Sequence, residues 1–244
     1  MARAVSNEHQ ALIGVATPMS IFTVVALAFS GALAGVPVAA IAYSVPESGP
    51  VRLPKRWWAG EPAPHRLLIT TAAITGGAGA AVGFAVADPL VRVALWIFVL
   101  VGVGLAIVDV RRRRLPHLLT GILWVTSALC LTSAAITGHN VAPLERAVLA
   151  AATSTAIMLV VAFVFPGQLG LGDVAFAGAI ALTLGWLSWQ AAVSGLFFGY
   201  FLQAAALPAA RRRHANSSTP TQMPLGPALL AGWFLAVVLV RIVQ

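Results

Sequence analysis

The 244-residue chain is short of charge: only 9% of its residues are Asp, Glu, Lys or Arg, while 59% are hydrophobic. A soluble domain is about a quarter charged, so this composition excludes a water-facing surface over most of the chain. A lipid bilayer is the expected solvent, and one integral membrane domain over residues 1–244 the expected organisation. Cysteine is almost missing. The single thiol, Cys130, lies in an apolar run, which excludes a disulfide framework and a CxxC metal site and leaves it as a small apolar filler. Acidic residues number only seven against fifteen basic ones, a net charge of +8. The basic residues sit between apolar runs, as in membrane loops, and no RNP, zinc-finger or helix-turn-helix pattern accompanies them. Nucleic acid is therefore not an expected partner. The sequence offers no metal, nucleotide or thiol site, so no metal and no cofactor is expected.

What is present is apolar sequence in long runs. A spanning helix needs about 20 mostly apolar residues, and eight candidates appear, at roughly 18–43, 67–87, 89–108, 115–137, 143–165, 172–187, 190–207 and 225–243. The first is too long for the apolar core of a signal peptide, about 7–15 residues, and reads as an uncleaved helix. The sixth and seventh are short and open to a re-entrant reading. Runs such as Gly76-Gly77-Ala78-Gly79 allow close helix approach. The fold expected is an all-α, polytopic membrane bundle of about eight helices.

Charge orients these spans. The loops at 44–66, after the third span and after the seventh carry Arg52, Lys55, Arg56, Arg66, Arg111–Arg114 and Arg211–Arg213, eleven of the fifteen basic residues. All three fall on one side, which the positive-inside rule makes cytoplasmic; both termini then lie outside. Trp57 and Trp58 read as interfacial anchors. Parity puts the loop 166–172 on the cytoplasmic side as well, so Asp109 at the end of the third span and Asp173 at the start of the sixth share one face. The other acids are Glu8, Glu47 and Glu61 in tail or loops and Asp88 and Glu145 at the opposite face.

An ionisable group within or beside a membrane span is a functional candidate by default. Each aspartate also has a plain structural reading. Asp109 stands four residues before Arg113, the spacing of a helical ion pair. Asp173 follows a Gly-rich loop and opens an apolar helix, as an N-cap does. At one membrane depth, however, the two can form a dyad. Like charges held together share a proton; the ionised carboxylate takes a proton from water, and the protonated one polarises a scissile carbonyl and later protonates the leaving amine. Gly170 and Gly172 flank Leu171 before Asp173, and a glycine-rich entry admits another chain closely. Gln168, in the same loop, is a weak candidate for contact with a substrate backbone.

The segment Gly170-Leu171-Gly172-Asp173-Val174 resembles the GxGD motif of the type IV prepilin peptidases. Leu184-Gly185-Trp186 resembles the continuation of that helix, and Asp109, Arg111–Arg114, Leu115 and Pro116 resemble the family's first catalytic segment. Met223-Pro224-Leu225-Gly226-Pro227 resembles its Pro-x-Gly-Pro segment. The likeness marks 101–232 as a catalytic core, strongest over 101–187. It implies Asp109 and Asp173 as catalytic aspartates and an aspartic-type endopeptidase of the bacterial plasma membrane. Its implied partners are pilin-like precursors, cut at the cytoplasmic face before their apolar helix. Two features depart from the pattern. Ala175 stands where the family often has Lys, and the 44–66 loop lacks the paired CxxC zinc ligands linked in larger members to N-methylation of the product. Zinc is therefore not expected.

Rival readings are a proton-coupled transporter, against which both aspartates lie at one face with no inverted repeat, and a non-catalytic assembly partner, against which both aspartates are retained. Presenilin-like proteases also use GxGD but pair it with Tyr-Asp, where this chain has Val108-Asp109. His117 reads as a helix-start histidine rather than a site residue. Arg111–Arg114 read as snorkelling to lipid phosphates more readily than as a guide for substrate.

Overall fold

The computed structural model describes residues 21–45, 63–113, 115–166, 169–213 and 224–243. Trp57, Trp58, Arg114 and Gln168 lie outside them. Eight helices occur among the described residues: α1 (Ile21–Tyr43), α2 (His65–Ala85), α3 (Pro89–Arg112), α4 (His117–Thr137), α5 (Ala142–Val164), α6 (Leu171–Leu187), α7 (Trp189–Arg213) and α8 (Gly226–Val243). Six are long and apolar enough to cross a bilayer; α6 and α8 are shorter apolar helices. The protein is an all-α bundle of the polytopic membrane type. The sixth and seventh spans form continuous helices separated only at Ser188.

The third helix departs from the sequence expectation. It runs past 108 and carries Asp109 within its last turn, ending where Arg113 adopts a left-handed conformation (φ 50°) and donates its amide to the Asp109 carbonyl. Asp109 makes no ion pair with Arg113 among the described residues. At the other end Asp88 caps α3, accepting from Leu90 (2.8 Å) and Val91 (3.1 Å), with Pro89 in the first turn.

Helix C-termini leave carbonyls without partners, and in this chain arginines satisfy them. Arg92 donates to the Val86 and Ala87 carbonyls after α2. Arg146 donates to Gly185 (2.7 Å), Trp186 (2.5 Å) and Leu187 (3.2 Å) at the end of α6. Arg111 lies 3.4 Å over the Tyr43 ring and donates to the Tyr43 carbonyl, and Arg112 donates to Val45 (3.2 Å) after α1. A cation at a helix C-terminus also complements its dipole. Arg111 and Arg112 therefore tie α1 to α3, which corrects the expectation that they reach for lipid phosphates: nearby carbonyls are the closer acceptors.

Packing has a clear hierarchy. Helix α1 lies tightly on α2, where a Cβ on Gly31 would stand 2.5 Å from the Thr75 carbonyl oxygen. Helices α5 with α6 and α7 with α8 form the other close pairs. The most enclosed helices are α3, buried nearly continuously from Gly102 to Asp109, and α6, buried from Phe176 to Gly185. Helix α8 links them. Phe98 of α3 stacks on Trp233 of α8 (5.0 Å) and on Phe176 of α6 (6.2 Å), and the Trp233 indole N–H donates to Thr183 of α6 (2.9 Å). The two aspartates thus sit on the two central helices of the core.

Candidate active site

Asp109 is buried, at 5% exposure, near the C-terminal end of α3. Its Oδ2 accepts a 2.7 Å hydrogen bond from the amide of Gly226, the first residue of α8, and the Leu225 amide adds to the same end. The site needs a glycine there: a Cβ on Gly226 would lie 3.0 Å from that oxygen and 3.4 Å from the Asp109 Cβ. The N-terminus of a helix, with unpaired amides and the positive end of the dipole, is a natural seat for a carboxylate.

Asp173 is half-buried in the first turn of α6. Its Oδ2 accepts from the Gly170 amide (3.2 Å), reaching back from the N3 position to the N-cap. This is half of a capping box, because glycine has no side chain to complete the other half. The structural reading of Asp173 is thus partly correct: it serves the helix start with one oxygen.

Both side chains lie at helix ends, Asp109 in the last turn of α3 and Asp173 in the first turn of α6. They are near enough for the charge of Asp109 to act on Asp173. Leu115 and Gly172 explain how. Past the end of α3 the chain brings Leu115 against the first turn of α6, so closely that a Cβ on Gly172 would stand 2.7 Å from the Leu115 Cβ. Glycine at 172 therefore admits the chain's own Leu115 on that side. Gly170 is exposed, with its amide on Asp173. Ala175, in place of the expected Lys, accepts through its backbone carbonyl from the Trp124 indole N–H (2.9 Å). Trp124 thereby fixes the second turn of the Asp173 helix. His117 is exposed at the start of α4.

Two participants were missed in the sequence. The Gly226 segment was seen only as a resemblance, without a role. Tyr200 of α7 received no attention; its hydroxyl donates to the Met158 sulfur and it lies within reach of the Asp173 charge. The available signal was rarity: Tyr43 and Tyr200 are the only tyrosines in the chain.

Residues 93–209 match the type IV leader peptidase family. With six helices long and apolar enough to cross a bilayer, the chain is of the multi-pass membrane type, and the region that carries both aspartates is similar to leader peptidases. The match spans both aspartates and Tyr200, while Gly226 enters the site from beyond it. No curated protein and no solved structure matches the chain.

Proposed function

We propose that the protein is an aspartyl endopeptidase of the bacterial plasma membrane, with Asp109 and Asp173 as its catalytic pair, removing the leader of pilin-like precursors at the cytoplasmic face. The observation that carries the reading is the paired geometry: each carboxylate has Oδ2 held by a glycine amide at a helix start. Two carboxyl groups in electrostatic contact share one proton. The ionised member removes a proton from a water between them, and the water oxygen attacks the scissile carbonyl carbon. The protonated member donates to the carbonyl oxygen. As the tetrahedral intermediate collapses, the C–N bond breaks and the amine leaves with a proton from the pair. Arginine-rich loops on the same side support the cytoplasmic assignment.

The test is co-expression with a pilin-like precursor encoded in the same genome, read by gel mobility. Cleavage by the wild type that is lost in both Asp109→Asn and Asp173→Asn is the expected result. Cleavage that survives both substitutions would overturn the proposal.

A further inference from the structure

Tyr200 is one of two tyrosines in the chain, and helix packing brings it level with the segments that hold the carboxylates. Helices α7 and α8 run antiparallel. A Cβ on Gly195 would stand 3.1 Å from the Ala236 Cβ, and one on Gly199 would stand 3.0 Å from the Leu229 Cα. Tyr200 is the next residue, so it lies beside the first turn of α8, whose opening amide holds Asp109. Its hydroxyl donates to the Met158 sulfur of α5 (2.8 Å). Helices α5 and α6 are also antiparallel, with Ala147 against Gly185 and Thr155 against Gly178. The same register sets Met158 opposite Ala175, two residues past Asp173, or roughly 3 Å of helical rise. The hydroxyl is thus level with both helix starts that hold the carboxylates, and within reach of the Asp173 charge.

The partner of this hydroxyl is a poor one. A thioether sulfur is a weak acceptor, whereas a hydrogen bond to an ionised group is roughly twice as strong as one between neutral groups. A hydroxyl hydrogen can turn to a new acceptor without movement of the oxygen, and a bridging water transmits a hydrogen bond with little loss. We propose that Tyr200 is a positioning residue of the site: its O–H leaves Met158 and, through one water molecule, steadies the ionised Asp173 while the scissile carbonyl is attacked. The phenol keeps its proton throughout. The inference rests on the peptidase reading above and adds a third side chain to the pair.

Two single substitutions delete the same O–H···S bond, and a merely structural tyrosine would make them equivalent. Tyr200→Phe removes the hydroxyl. Met158→Leu removes only its acceptor at rest. The purified wild type and both variants are assayed on a pilin-like precursor for kcat and KM, and their unfolding midpoints are read in detergent. Tyr200→Phe is expected to lower kcat about tenfold at unchanged KM, through misplacement of Asp173. Met158→Leu is expected to keep the wild-type kcat, with both variants unfolding at nearly the same midpoint. Wild-type kcat in Tyr200→Phe, or an equal loss of kcat in the two variants, would overturn the proposal and leave the hydroxyl as a packing contact. A loss confined to KM would also overturn it, because a group that steadies Asp173 acts on the chemical step. Absence of cleavage by the wild type would instead overturn the peptidase reading, and this proposal with it.

Discussion

The two aspartates are held in parallel ways by chain of very different reach. Asp173 takes its amide from Gly170, three residues earlier in the same turn. Asp109 takes its amide from Gly226, 117 residues later. Asp173 is half-exposed at a helix start, whereas Asp109 is buried between α3 and α8. A local contact forms wherever its helix begins. A distant one exists only if the whole bundle closes, so the geometry of Asp109 reports on the tertiary structure in a way that Asp173 does not.

Replacing either carboxyl group is expected to have the largest effect. Asp109→Asn and Asp173→Asn should each reduce precursor cleavage by about 10³-fold or more, since general acid–base groups that act as a unit fail together. The double variant should be no worse than either single one, and an additive loss would break the symmetry of the pair.

The holding glycines come next and separate the two sites. Gly226→Val places branched carbon against a buried carboxylate and should cost roughly 10- to 100-fold in kcat through misplacement of Asp109. Gly170→Val, on an exposed turn, should cost only about a few-fold. Measured kcat values in the reverse order would show that the local contact, not the distant one, limits catalysis.

Two further substitutions probe the helix that carries Asp173. Arg146→Met leaves the three carbonyls at the end of α6 without their donors and should destabilise the fold by about 2–3 kcal/mol, read as a lower unfolding midpoint in detergent. Trp124→Phe removes the single bond to the Ala175 carbonyl and should cost about 1 kcal/mol or less in the same measurement. Activity lost from Trp124→Phe without loss of stability would assign Trp124 to positioning Asp173.

The same contrast explains what could be read in advance. The helices were legible because bilayer spans announce themselves as apolar runs of fixed length, and the boundaries from α1 to α6 differ from expectation by only a few residues. The exception at α3 is informative. Its helix outlasts the apolar run because Arg111 and Arg112 find carbonyl partners at the end of α1, and those partners are invisible from the arginines alone. Gly172 was legible as a glycine but not in its purpose, since Leu115 lies far away in sequence. Tyr200 and Gly226 went unassigned for the same reason: their significance lies in their neighbours.

The sequence by itself determined the class of fold, and it marked Asp109 and Asp173 as the candidate pair. Scarcity of charge, span-length apolar runs and two isolated acids at one end of their spans are one-dimensional properties that bilayer energetics translate directly. Only the tertiary structure decided that the start of α8 clasps Asp109 and that Leu115 seats the Asp173 helix. Those arrangements depend on close packing between segments remote in the chain, and glycine permits such packing without specifying the partner.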